Sequence, residues 1–253
     1  MDAVNDRAIE GLGTTEARWL GWSGLANIPL TTLDELAPPG RRVVVVAPHP
    51  DDELLAAGGL IALLVDAGRT PLLIAVTDGT ASHMGSTEWP ADRLAQERPR
   101  ETEAALDVLG LRDGPPVRLR FPDGGLQTQR QRLADTLHAL LRPDDVVFTT
   151  WRLDGHPDHE ATGDACAVAT QRCGATLIEI PVWAWHWAEP ADPRLPWDRA
   201  RRLLLGEESA QRKQAAVQCF RSQLMPDAST GHGPILRPTT VQRASRPFEV
   251  MFT

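Results

Sequence analysis

The chain has 253 residues, a formal net charge of -8 and a pI near 5.4, with 42% apolar and 24% charged residues. This composition is typical of a globular protein, and its acidic balance argues against a nucleic-acid binder, so we expect a small-molecule partner. The longest apolar runs, 43–47 and 60–65, are far shorter than the ~20 residues of a membrane-spanning helix, and residues 1–6 lack a signal-peptide pattern. We therefore expect a cytoplasmic protein without membrane insertion. Three cysteines without C-x-x-C spacing argue against a disulfide framework or a thiolate metal site.

Strand-like and helix-like patterns alternate along most of the chain after an irregular segment, 1–40, that we expect to pack as an N-terminal extension. In chain order the predicted strands are 43–47, 72–76, 117–121, 146–150, 176–182 and an edge strand at 248–252. The predicted helices are 54–67, a stretch within 91–109, 126–141, 159–171 and 207–222. This alternation predicts an α/β fold of one domain, with a Rossmann-like, mostly parallel, doubly wound sheet between two layers of helices.

Two histidine motifs follow the first and fourth predicted strands: PHPDDE at 48–53 and HPDH at 156–159. Doubly wound sheets bind ligands beyond the carboxyl ends of their strands, where the strand order reverses, so we expect both motifs in one crevice. His49 and Asp52 are three residues apart at the start of a predicted helix and can chelate one ion. A ligand from the second motif completes two imidazoles and one carboxylate, with positions left open for water. Asp51 is then the candidate base for that water.

Each part of this site also has a simpler interpretation. Asp51 and Asp52 suit a helix N-terminus, where aspartate caps the helix and complements its dipole. A His-Pro-Asp segment suits a turn. The occurrence of both motifs after the first and fourth predicted strands favours a metal site over chance. The other histidines, His83, His138, His186 and His232, are given no metal role.

The two motifs, together with Thr77-Asp78-Gly79 and Ser222-Gln223, resemble the PIG-L (LmbE-like) zinc deacetylase family over roughly 42–225. The resemblance implies hydrolysis of an N-acetyl or other N-acyl group from an amino sugar or glycoconjugate. It also implies site residues by position: zinc ligands His49, Asp52 and His159; general base Asp51; oxyanion-stabilising His156, oriented by Asp158; and substrate-facing Arg98 and Asp123.

Several alternatives stay open at this stage. Fe²⁺ fits the same ligands as Zn²⁺, and two histidines with one carboxylate also define non-haem Fe(II) oxygenases. A catalytically silent sugar-binding protein is a third alternative. A nucleotide-binding module is disfavoured, because 49–52 occupies the place of the glycine-rich turn that such modules need. The sequence selects neither one N-acyl substrate nor an oligomeric state.

Further residues invite two interpretations each. Arg98 can face substrate or form a surface pair with Glu101. Trp183, Trp185 and Trp187 alternate after the fifth predicted strand and should share one side of an extended segment, either as packing, which we favour, or as a sugar-stacking platform. The chain departs from the family pattern at Phe220, where a histidine is frequent, and at 54–59, which is less glycine-rich. We expect these departures to remove a substrate contact and to narrow the pocket, respectively.

Overall fold

The computed structural model describes residues 7–253 and is built on one eight-stranded sheet. The strands are β1 (Leu30–Thr31), β2 (Val43–Ala47), β3 (Leu72–Thr77), β4 (Val117–Phe121), β5 (Val146–Thr150), β6 (Thr176–Ile180), β7 (Ala200–Leu204) and β8 (Phe248–Phe252). Their order is β1-β7-β8-β6-β5-β2-β3-β4. Strand β8 runs antiparallel to β6 and β7, and the other pairs in the described sheet are parallel. The predicted mostly parallel sheet is confirmed.

Helices cover both faces of this sheet. They are α1 (Glu16–Leu20), α2 (Ser23–Asn27), α3 (Leu33–Leu36), α4 (Asp52–Asp66), α5 (Ala91–Leu109), α6 (Leu126–Leu140), α7 (Pro157–Cys173), α8 (Ala184–Trp187), α9 (Glu207–Val217), α10 (Arg221–Leu224) and α11 (Pro238–Ala244). Successive strand residues point to opposite faces. Accordingly, Val43 and Val45 pack with α4, α5 and α9, whereas Val44 and Val46 pack with α6 and α7. The result is a three-layer α/β fold.

The N-terminal segment packs against the β7–β8 part of the sheet through tryptophan. The Trp19 indole Nε1 donates to the Trp185 carbonyl at 2.9 Å, and the two rings meet edge to face with centroids 4.9 Å apart. Glu16 binds the Arg246 guanidinium through both carboxylate oxygens. Residues 7–40 are thus joined to the C-terminal part of the chain, and the part of the predicted extension at 1–6 lies outside the described residues. Within 7–253, no helix has the length and apolar character needed to cross a membrane.

The prediction of an edge strand at 248–252 is wrong in its placement. Strand β8 lies inside the sheet, between β6 and β7, and all five of its residues are buried. The chain supplies two strands that the pattern did not reveal, β1 with two residues and β7 with the sequence ARRLL. Neither has the β-branched run that marks a buried strand, so the outer part of the sheet was missed.

The expectation that Trp183, Trp185 and Trp187 share one side of an extended segment is also wrong. Strand β6 ends at Ile180, and the three tryptophans lie at and within the short helix α8. The backbone N–H groups of 182–184 all donate to the buried Asp154 carboxylate at 2.8–2.9 Å. A carboxylate at this position satisfies the free N–H groups at a helix start, which explains why the chain turns here. Trp185 consequently faces the apolar core and not a common platform.

Candidate metal centre

Adjacent parallel strands bring the two histidine motifs together. Strands β2 and β5 pair directly, and their carboxyl ends open on the same edge of the sheet. His49 follows β2 by one residue, and 154–159 follows β5 within ten residues. Gly155 has a φ of +96°, and a Cβ there would lie 2.7 Å from the Trp187 indole nitrogen. Only glycine therefore suits this turn of the second motif.

Three side-chain atoms converge where a metal ion would be held. Asp52 Oδ2 lies 3.0 Å from His49 Nδ1 and 3.1 Å from His159 Nε2. Tetrahedral ligands at the usual ~2.0–2.1 Å from zinc are separated by roughly 3.3 Å, so these contacts fit one ion after a small adjustment. His159 Nε2 is fully buried, and its contact with Asp52 Oδ2 lacks hydrogen-bond geometry, as expected for two atoms that share a metal. The residues present fit a divalent metal.

Carboxylates also contact the other ring nitrogen of His49 and of His159. Asp154 Oδ2 lies 2.8 Å from His159 Nδ1, and its buried position leaves no solvent to compete. His49 Nε2 lies 3.2 Å from Asp123 and 3.3 Å from Asp158. A carboxylate that accepts one ring N–H fixes the tautomer and directs the other nitrogen's lone pair at the metal. With the far nitrogens held in this way, His49 Nδ1 and His159 Nε2 are the candidate ligating atoms, because both lie against the same oxygen of Asp52.

Two other sets of side chains also come within 4.8 Å, namely His49 with His156 and His159, and His49 with Asp123 and Asp158. We favour Asp52 as the third ligand because its oxygen touches both ligating nitrogens directly. Asp123 and Asp158 meet the opposite nitrogen of His49, where they act as hydrogen-bond acceptors. We do not assign His156 as a ligand, because its Nδ1 accepts a backbone N–H at the start of α7.

Asp51 has the surroundings of a general base. Burial raises the pKa of its carboxyl to about 7, with Arg98 opposing and Asp52 adding to this rise. A base whose pKa lies near neutrality is suited to take and return a proton at physiological pH. Its backbone has a φ of 112°, a strained value for a residue with a side chain. Asp51 occupies the N-cap position of α4, but its side chain makes no cap hydrogen bond to the helix, so its carboxylate is not used for capping.

His156 presents a hydrogen-bond donor. Its Nδ1 accepts the Asp158 backbone N–H at 3.2 Å and so caps helix α7. Burial and the nearby His159 and His49 lower the pKa of the His156 ring to about 3, which keeps it neutral. With Nδ1 accepting, the ring hydrogen is assigned to Nε2. This N–H can stabilise negative charge that develops on a substrate oxygen.

The Asp158 carboxylate does not orient His156 through a direct contact. Its oxygens instead accept the backbone N–H groups of Gly124 at 2.7 Å and Leu126 at 3.1 Å, beside His49. Only the backbone of Asp158 reaches the His156 ring. We predicted that Asp158 orients His156, but its carboxylate contacts the His49 ring instead.

Arg98 and Asp123 are both engaged with protein groups. Arg98 is 3% exposed and donates to Asp51 Oδ2 at 3.1 Å, to the Pro50 carbonyl and to the Gly79 carbonyl. The surface pair with Glu101 is not formed. A side chain at Gly79 would overlap the Arg98 guanidinium, which accounts for the glycine after β3. Asp123 accepts the Ala81 N–H at 2.6 Å in addition to its contact with His49.

The predicted site residues lie together at one cleft of about 390 Å³. Its lining includes His49, Asp51, Asp52, Arg98, Asp123 and His156. Asp158 and His159 lie behind these residues and are fully buried. A volume of this size suits a small-molecule ligand.

Comparison with known proteins identifies the family of this chain. The PIG-L family, described as GlcNAc-PI de-N-acetylase, matches residues 44–170, about half of the chain. The chain belongs to the PIG-L family. This is a family of metal-dependent deacetylases, and the family match gives no support to the Fe(II) oxygenase alternative.

Individual relatives share the central part of the chain. The protein named Probable N-acetyl-alpha-D-glucosaminyl L-malate deacetylase 2 of Bacillus cereus is 34% identical over 142 residues, covering 52% of this chain and 62% of the relative. The 1D-myo-inositol 2-acetamido-2-deoxy-alpha-D-glucopyranoside deacetylase of Mycolicibacterium vanbaalenii is 33% identical over 169 residues, covering 57% and 58%. The chain thus spans less than two thirds of these relatives. The crystal structure of the conserved protein TT1542 from Thermus thermophilus has a TM-score of 0.56 and 27% identity, covering 81% of this chain and 84% of that one.

The structure shows what the chain has at the two positions where it departs from the PIG-L pattern. Phe220 is fully buried in the apolar core and does not line the cleft. In 54–59, helix α4 breaks its regular geometry at Ala57. The buried Glu249 carboxylate accepts the N–H groups of Gly59 and Leu60, and Lys213 donates to Glu249 and to the Leu55 carbonyl. This ion pair satisfies backbone groups around the irregularity, and of 54–59 only Leu55 lines the cleft.

Sequence reasoning gave no site role to two polar residues, Asp154, which it did not single out, and Gln223, which it named only as part of the family resemblance. The signal for Asp154 was its place in the sequence: it is a carboxylate two residues before His156, in the loop that follows a buried strand. Gln223 lines the cleft, and its buried Oε1 has no hydrogen-bond partner. The Ser222 hydroxyl donates to Glu101 and accepts the Gln223 side-chain N–H. A carboxylate can only accept, so the Ser222 hydroxyl must donate to Glu101 and accept from Gln223. This series of hydrogen bonds places the Gln223 NH2 group toward Ser222 and leaves its Oε1 without a partner.

Proposed function

We propose that this protein is a metal-dependent hydrolase that removes an N-acetyl or other N-acyl group from an amino-sugar-containing small molecule. The observation that carries the proposal is the convergence of His49 Nδ1, Asp52 Oδ2 and His159 Nε2 beside a buried Asp51. The PIG-L relatives, whose names describe deacetylases of N-acetylglucosamine compounds, support it.

In this proposal His49, Asp52 and His159 hold the metal. When bound, Zn²⁺ or Fe²⁺ supplies a Lewis acid that acidifies water and polarises the acyl carbonyl. Asp51 takes the proton of the attacking water and returns it to the departing amine, so that the amide and water become a carboxylate and an amine. His156 Nε2–H stabilises the oxyanion, and Arg98 positions Asp51 by its hydrogen bond.

We also infer that the described chain works as one deacetylase domain. The supporting observations are the Trp19–Trp185 contact and the Glu16–Arg246 ion pair, which tie residues before 40 to the sheet. A cytoplasmic location stays a prediction from the sequence.

The test is amine release by the metal-loaded protein from N-acetylglucosamine linked to inositol, to malate or to a simple alcohol. Asp51→Asn should lower kcat by ~100-fold or more, because general base catalysis contributes at least that much. Asp135→Asn, which changes an exposed aspartate on α6, is the matched control and should retain activity. Wild-type rates from Asp51→Asn, or no amine release from any compound, would reject the proposal.

A further inference from the structure

The lining of the cleft includes five apolar side chains to which no chemistry has been assigned. We call these residues together the apolar wall: Leu55, Met84, Trp183, Ile235 and Leu236. Met84 is 86% exposed although it borders the cleft, which places it at the mouth. Ligand pockets are lined predominantly by apolar and aromatic side chains, which contact the apolar parts of the bound molecule.

The charged residues of the cleft also favour an uncharged ligand. Among the described residues that line it, Arg98 is the one lysine or arginine, and its guanidinium already binds Asp51, Pro50 and Gly79. Three aspartates, Asp51, Asp52 and Asp123, also line the cleft. The proposed metal ion is taken up by the acyl carbonyl and the attacking water, so a carboxylate or phosphate elsewhere on the substrate would find no unpaired cation in the lining, and burying a charge without a partner is costly.

We propose that the substrate's sugar carries an uncharged, apolar aglycone, which rests on the wall formed by Leu55, Met84, Trp183, Ile235 and Leu236. This inference rests on the proposed function, which puts the acyl carbonyl beside His49, Asp52 and His159. The substituent farthest from that carbonyl then reaches the mouth at Met84. An anionic aglycone such as malate is disfavoured by the same geometry.

The first experiment compares three N-acetylglucosaminides, with benzyl, inositol and malate aglycones, by turnover and by calorimetric binding. We expect kcat/KM for the benzyl compound to exceed that for the inositol compound about tenfold, the effect of burying roughly 60 Å² of apolar surface. The malate compound should be the poorest. Equal or better turnover of the malate compound would overturn the inference while leaving deacetylation intact. Preferential binding of the benzyl compound without turnover would support the apolar wall and refute the deacetylase.

A fourth compound distinguishes the aglycone from the acyl group. N-octanoylglucosamine has a long apolar acyl chain and no aglycone. If it is hydrolysed faster than the benzyl N-acetylglucosaminide, the wall serves the acyl chain and the proposal is wrong. Slower hydrolysis supports it.

A pair of matched variants tests the wall directly. Met84→Lys puts a cation at the mouth, and exposed pairings are weak, so the ratio of malate to benzyl turnover should rise by roughly threefold to fivefold. Met225→Lys makes the same change at a methionine that is 52% exposed and does not line the cleft, and should leave the ratio unchanged. The same ratio in both variants would overturn the proposal. Both positions are exposed, so folding should be unaffected.

Discussion

Asp154→Asn should weaken metal binding although Asp154 is not among the proposed ligands. The carboxylate is fully buried and accepts four N–H groups, from the His159 ring and from the backbone of 182–184. An asparagine keeps one oxygen for the N–H groups of Val182 and Ala184. Its NH2 group then meets the Trp183 N–H and His159 Nδ1, so His159 is driven to the tautomer with its hydrogen on Nε2, where the metal would bind.

The expected loss is ~10–100-fold in metal affinity, which corresponds to about 1.4–2.7 kcal/mol. The assay is a competition titration of Zn²⁺ between the protein and a chromophoric chelator. Asp145→Asn is the matched control, because Asp145 is equally buried and hydrogen-bonded but lies at the opposite end of β5. Wild-type affinity in Asp154→Asn, or an equal loss in Asp145→Asn, would refute the reasoning.

Three further predictions concern catalysis and stability. His156→Ala should lose ~100-fold or more in kcat while binding metal like the wild type, measured by turnover and metal content; a small kcat loss would contradict its role at the oxyanion. Lys213→Met leaves the buried Glu249 carboxylate without its cation and should lower the free energy of unfolding in urea by about 3 kcal/mol. A decrease below about 1 kcal/mol would show that the ion pair is dispensable. Trp19→Ala should cost about 3–5 kcal/mol in the same assay, because its ring is fully buried; a surface-like loss would contradict the docking of the N-terminal segment.

The strands nearest the site were predictable from the sequence. Val43–Ala47 and Val146–Thr150 are runs buried on both faces, and central parallel strands have this pattern. Their place in the chain was enough to bring His49 and His159 to one edge of the sheet. The ligand motifs could therefore be located from the sequence alone.

Other features depend on partners that are distant in sequence. The turn into α8 follows from Asp154, 28 residues before Val182, and no local pattern encodes that contact. Arg98 was compatible with a surface pair until its burial against Asp51 and Gly79 was known. The antiparallel β8 joins the sheet interior because β7, which has two arginines, forms the next strand outward. Tertiary packing outweighs local preference in each case.

The most direct test of the metal centre is chelation followed by titration with Zn²⁺, with amine release from an N-acetylglucosaminide as the readout. We expect chelation to abolish release, a single equivalent of Zn²⁺ per chain to restore it, and Asp52→Asn to show no recovery. Full activity in protein stripped of metal, or recovery in Asp52→Asn equal to the wild type, would contradict the assignment of His49, Asp52 and His159 as the site of the catalytic ion.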